Sequence, residues 1–138
     1  MEKSKILIVE DSETMRHLVS FALKRLSNTE IVEANDGSDA IKKFRREHFD
    51  LVITDLMMPH IDGFKLIQFI RNQQDNARIP IIIVSTRYSP EDRERGFSLG
   101  ANAYISKPIH SGTLLQAVQN LLKDHNTSIL HKSIEKEG

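Results

Sequence analysis

The chain is 138 residues long, enough for one domain around a single core. Hydrophobic residues make up 39% and charged residues 28%, and 19 basic side chains balance 19 acidic ones. Neither a disordered chain nor a strong field towards nucleic acid or an anionic membrane is expected. With no cysteine in the sequence, disulfides, thiolate nucleophiles and cysteine-based zinc sites are excluded, which fits a reducing compartment.

The opening MEKSKILIVED has a four-residue apolar stretch, Ile6 to Val9, before two acids. That is too short for a signal peptide, and no later stretch approaches the ~18 apolar residues needed to span a bilayer. A soluble, cytoplasmic protein is expected. Ile6 to Val9 predicts a first strand, buried on both faces. Met15, Leu18, Val19, Ala22 and Leu26 then step by three and four, predicting a helix with this stripe inward. Ile31-Val32, flanked by Glu30 and Glu33, predicts a second strand at an edge of the sheet. A helix through Ala40, Ile41 and Phe44 follows, then a third strand at Leu51-Val52-Ile53 and a helix through Phe64, Ile67 and Ile70.

Ile81 to Val84 predicts the fourth strand, and Pro90 to Leu99 a weaker helix, charged early with Phe97 and Leu99 late. The fifth strand is Ala103-Tyr104-Ile105, another edge. The last helix carries the clearest stripe, Leu114, Leu115, Val118, Leu121 and Leu122. Residues 125–138 read as a tail or linker after a domain of residues 1–124, although Leu130 and Ile134 leave room for a longer helix. Strand and helix alternate five times, which implies parallel strands joined by right-handed crossovers. The expected fold is α/β, a flavodoxin-like (βα)5 three-layer sandwich whose five-stranded parallel sheet has the order 2-1-3-4-5.

Ligands of such sheets bind beyond the carboxyl ends of the strands, near the switch in strand order. Glu10 and Asp11 follow the first strand, Asp55 ends the third, Ser85 and Thr86 end the fourth, and Lys107-Pro108 follows the fifth. Each has an ordinary reading alone: Asp11 and Ser12 as helix caps, Asp55 as the start of a turn, Ser85 and Thr86 as loop hydroxyls. Their convergence on one end of one sheet is what points to chemistry. Three clustered carboxylates repel one another and need a cation, and all-oxygen ligation suits Mg2+. Beside such an ion, Lys107 and Ser85 suit a phosphate, as point charge and hydrogen-bond donor. Asp55 is then placed to attack phosphorus and become an acyl phosphate, its charge met by the metal and Lys107.

This set, Glu10-Asp11, Asp55 within DLMMPHIDG, Ser85 after PIIIV and Lys107-Pro108, resembles the receiver domain of bacterial two-component response regulators over about residues 3–124. The segment DSETMRHLV is similar to the first helix of single-domain chemotaxis-type regulators. The resemblance implies that Asp55 is the phosphoacceptor for a sensor histidine kinase or phosphotransfer protein. It implies Mg2+ held by Asp11, Asp55, the Met57 carbonyl and, through water, Glu10. Ser85, Thr86 and Lys107 would meet the phosphoryl group, Lys107-Pro108 would be cis, and Ser85 with Tyr104 would form the switch pair. The downstream target would bind the face of the fourth helix, fifth strand and fifth helix. Thr86 is larger than the residue usual at its position, and apolar Met57, with Arg87, flanks the path of the hydrolytic water, so a long-lived acyl phosphate is expected.

A stand-alone regulator, without nucleic-acid binding by this chain and with no activity beyond its own phosphorylation and dephosphorylation, is the expected form. Two other readings have sequence features against them. A phosphatase working through an aspartyl phosphate would carry a second carboxylate at position 57, where Met57 stands. A flavin or nucleotide module needs a Gly-, Ser- or Thr-rich loop after the first strand, where Glu-Asp-Ser-Glu stands. The six histidines show no ligand spacing and are expected on the solvated surface. Phe64, Phe69 and Phe97 read as packing residues rather than a cofactor box, and the run Glu91 to Arg95 as an exposed helix face.

Overall fold

The computed structural model describes residues 3–74, 78–87 and 89–137, with side chains described as far as residue 125. Five strands, β1 (Ser4–Val9), β2 (Thr29–Ala34), β3 (Leu51–Thr54), β4 (Ile81–Ser85) and β5 (Ala103–Ser106), alternate with five helices. The helices are α1 (Glu13–Leu23), α2 (Gly37–Arg46), α3 (Gly63–Arg71), α4 (Pro90–Leu99) and α5 (Ser111–Glu137). All strand pairs are parallel and the order is β2-β1-β3-β4-β5, as the alternation required. β1, β3 and β4 are the central strands, and their residues are almost wholly buried.

Strand alternation splits the core into two layers. Leu7, Val9, Val52, Ile81 and Ile83 face α2 and α3, packing on Phe44, Phe64, Leu66, Ile67 and Ile70. Ile6, Ile8, Leu51, Ile53, Ile82 and Val84 face α1 and α5, against Val19, Leu23, Leu114 and Val118. Each such Ile or Leu contributes about 1.5–3 kcal/mol by leaving water. Four helices start on side-chain caps: Ser12, Asp36, Asp62 and Ser89 each accept a bond from a backbone N–H three residues on. α4 ends on Gly100, whose φ of 118° suits a residue without Cβ. Arg71, leaving α3, donates to the carbonyls of Gly100 and Ile79 and to Asn102 Oδ1, so the end of α4 is held to the starts of β4 and β5.

Asp62-Gly63 starts α3. A Cβ on Gly63 would lie 2.4 Å from the Asp55 carbonyl oxygen and 2.9 Å from the Leu56 Cα. Both neighbours are backbone, so neither can swing aside. Gly63→Ala is expected to destabilise the fold by about 2 kcal/mol through overpacking, read as a fall in the urea midpoint with an unchanged slope.

The phase of α1 differs from the sequence expectation. Leu18 is 58% and Phe21 72% exposed, while Val19, Ser20, Ala22 and Leu23 are buried. At about 100° per residue the inward direction passes through Val19, Ala22 and Leu23, leaving Leu18 on the flank. Leu18 and Phe21 line a cleft of about 560 Å³ between α1 and α5, opening beside Thr86 and Lys107. Phe97 is 40% exposed and packs under the Arg93 guanidinium, which lies 5.6 Å from its ring centroid.

The boundary drawn at residue 124 falls inside α5, which continues to Glu137. The side chains of Leu130 and Ile134 lie outside the described residues. His125, expected on the solvated surface, has its Nε2 buried and without a hydrogen-bond partner among the described residues. Burial lowers its pKa from 6.5, helped by His48 and opposed by Asp50. Because the folded form resists protonation, stability is full above the unfolded value and falls as pH drops below 6.5 towards the folded pKa. His125→Leu is expected to flatten the fall in melting temperature below that pH, a comparison made by thermal denaturation.

Candidate functional site

Glu10 follows the last residue of β1, its N–H donates to the Ala34 carbonyl of β2, and the chain turns at Asp11 into the Ser12 cap. β3 carries Asp55 one residue beyond its end, where the Asp55 N–H donates to the Val9 carbonyl of β1. β4 ends at Ser85, and the Lys107 N–H donates to its carbonyl across the sheet. Lys107-Pro108 is cis. Four strand ends thus set the acids, hydroxyl and amine at one end of the sheet.

Carboxylate oxygens of Glu10, Asp11 and Asp55 lie within 4.8 Å of one another. Lys107 Nζ donates to Glu10 Oε2 at 2.9 Å and to Asp55 Oδ2 at 3.2 Å. Glu10 Oε1 accepts from the Ser12 N–H at 3.1 Å, and Asp55 Oδ1 from the Leu56 N–H at 2.8 Å. Glu10 and Asp55 are buried, whereas Asp11 is exposed at the mouth of the pocket. Burial raises the Glu10 pKa above its ordinary value, opposed by the bond from Lys107 and reinforced by the nearby Asp55 charge. Burial also works to lower the Lys107 pKa, but the bonds and charges of Glu10 and Asp55 outweigh it and the net shift is upward. The ammonium therefore stays charged between two buried acids. Three acids facing one lysine leave negative charge over, and an oxygen-only donor set of this kind fits a hard divalent cation.

Ser85 is wholly buried, and its Oγ accepts from the Arg87 N–H at 3.1 Å. Tyr104 packs on the core, and its hydroxyl donates to the Arg87 carbonyl at 2.8 Å. The two expected switch residues therefore hold the same backbone, from its N–H and its carbonyl. Arg87 Nη1 reaches Asp92 Oδ2 at 3.2 Å, tying the loop to the first turn of α4. Thr86 is exposed on the rim, and the Met57 side chain points to solvent while Met58 packs inward. Arg16 was not singled out by the sequence. Its Nη1 donates to the Glu10 carbonyl at 2.9 Å and its Nε to Glu33 Oε1 at 3.1 Å. In the sequence it looks like one more charge on the outer face of α1.

A doubly wound sheet with three acids beyond its central strands and a lysine beyond the neighbouring edge strand defines a module built to take up phosphate on an aspartate. The comparisons agree. The family model "Response regulator receiver domain" matches residues 6–119. The probable transcriptional regulator ycf27 of Porphyridium aerugineum is 32% identical over 138 residues, covering 100% of this chain and 56% of its own length. The chemotaxis protein CheY4 of Vibrio cholerae is 34% identical, with a TM-score of 0.80 over 86% of this chain and 98% of that one. The receiver domain of the sensor histidine kinase PA1611 of Pseudomonas aeruginosa is 27% identical, with a TM-score of 0.80 over 88% of this chain and 98% of that one. That structure has a magnesium ion coordinated in its active-site cleft.

The chain belongs to the response regulator receiver domain family and is a phosphorylation-dependent signalling receiver. It spans 15% to 56% of the length of the curated relatives it matches. No helix among the described residues is long and apolar enough to cross a membrane.

Proposed function

We propose that Asp55 takes a phosphoryl group from a phosphohistidine of a cytoplasmic sensor kinase or phosphotransfer protein. The observation that carries this reading is Lys107 bridging Glu10 and Asp55 while all three acids stay within 4.8 Å of one another. An Asp55 oxygen bonds to phosphorus as the donor's phosphorus–nitrogen bond breaks, and the imidazole keeps the electron pair. The Leu56 N–H holds Oδ1 and so orients the carboxylate for this attack. Glu10, Asp11, Asp55 and the Met57 carbonyl would hold Mg2+, which when bound supplies positive charge to the phosphoryl oxygens. Lys107 meets the same charge from the other side.

Ser85, on turning its hydroxyl to the phosphoryl oxygen, gives up the Arg87 N–H, and Tyr104 then leaves the Arg87 carbonyl. That changes the surface of α4, β5 and α5, which a downstream target protein reads. Met57 has no group to orient a hydrolytic water, so the acyl phosphate is long-lived. The chain catalyses only its own phosphorylation and dephosphorylation, and with balanced charge it binds no nucleic acid directly. Incubation with a small acyl-phosphate donor tests the reading by mass spectrometry. A single phosphoryl adduct, mapped to the peptide holding Asp55 and abolished by EDTA, is expected. An adduct elsewhere, or one indifferent to EDTA, would overturn it.

A further inference from the structure

We propose that Arg16 is a positioning residue that clamps the Glu10–Asp11 turn and thereby sets the pocket's affinity for a divalent cation. The inference rests on the reading that Glu10, Asp11 and Asp55 hold Mg2+. The Glu10 carbonyl lies just past the end of β1, where the ladder to β2 stops. Arg16 Nη1 takes it at 2.9 Å, while Nε of the same guanidinium holds Glu33 of β2 at 3.1 Å. Arg16 begins in turn from the Ser12 carbonyl, to which its own N–H donates at 2.9 Å.

The turn at Glu10 and Asp11 is therefore held at three points. Ala34 holds the Glu10 N–H, the Ser12 N–H holds the Glu10 side chain, and Arg16 holds the carbonyl. Of the three acids, Asp11 alone is exposed, and no hydrogen bond to its side chain is found among the described residues. Its place opposite Asp55 is set by its backbone. Rotation of the Glu10–Asp11 peptide would carry that carboxylate away from the pocket, and Arg16 opposes the rotation. A lysine could reach the carbonyl or Glu33 but lacks the planar fork that takes both.

The position also makes two roles for the same charge separable in sign. Arg16 is a cation near an acidic pocket, so if it acted only through its charge, removing it would tighten Mg2+ binding. As a clamp, its removal weakens binding, and residues that orient metal ligands typically carry about a 10–100-fold effect on affinity.

Titrating the full unphosphorylated chain with Mg2+ alone, followed by two-dimensional NMR of backbone amides, separates these outcomes. Arg16→Met, which keeps the apolar stem, is expected to bind about tenfold more weakly with a native-like spectrum, and Arg16→Lys to fall in between. Binding by Arg16→Met at or above wild-type affinity would overturn the proposal. Should Arg16→Met lose its native spectrum, Arg16→Lys decides: a folded variant matching wild type would overturn it too. Asp11→Asn serves as reference: if neither it nor wild type shows saturable Mg2+ shifts, the metal reading itself fails. Loss in Asp11→Asn with no change in the Arg16 variants sinks the clamp alone.

Discussion

Asp55→Asn is expected to form no phosphoryl adduct under any concentration of acyl-phosphate donor or Mg2+. The amide oxygen is a poor nucleophile at neutral pH, and the other acids cannot substitute. Glu10 is tied down by the Ser12 N–H and Lys107, and Asp11 stands at the mouth of the pocket without the Leu56 N–H that orients Asp55. The loss of function comes with little loss of fold. In the metal-free chain Lys107 keeps Glu10 as its partner, and one buried negative charge has been removed from a crowded pair. The melting temperature without Mg2+ should therefore stay level or rise, while the Mg2+-dependent increase seen for wild type should shrink. Intact-mass spectrometry and paired thermal melts check both halves. An adduct on Asp55→Asn would show that another side chain accepts the group.

Lys107→Met is the second large effect, and here stability falls together with phosphorylation. The ammonium is the cation bonded to both Glu10 and Asp55, and all three side chains are nearly buried. Stripping one partner from such a cluster leaves uncompensated charge and costs about 3 kcal/mol, the low end of the usual range. The low end applies because Glu10, already pushed up by burial, can take a proton instead. The loss should accordingly shrink as pH falls and the carboxylates protonate, and grow towards neutral pH. Mg2+ should recover part of it in Lys107→Met, since the ion replaces the missing positive charge. Phosphorylation should not recover to the same degree, because the lysine also meets the transferring group. Urea denaturation at two pH values, with and without Mg2+, measures each term. Equal stability of wild type and Lys107→Met at neutral pH without metal would contradict the electrostatic account.

The fold was legible because short Ile- and Val-rich runs alternate with helical stripes, and Ser12, one of the caps the sequence offered, does start α1. The acids, Ser85 and Lys107 were legible because residues at strand ends must converge once the order is known. Leu18 was counted in the inward stripe of α1 because it is apolar, yet it lines a cleft, and helical periodicity weighs every apolar residue alike. Arg16 stayed hidden because its partners are a backbone carbonyl and a residue 17 positions away, and neither leaves a local signal. His125 was missed because it was assigned to a tail, although no Gly or Pro separates it from the helix before it.

The fastening of α4 by Arg71 has a mechanical consequence. The helix's far end is pinned through Gly100, while its near end, next to the loop that follows Ser85, hangs on a surface ion pair and a serine cap. Ten residues give a lever of about 15 Å. A tilt of about 10° around that fulcrum would sweep the near end through about 2.5 Å by simple leverage on that length. Small events at Ser85 and Arg87 thus gain amplitude on the outer surface, and the fulcrum itself need not stir.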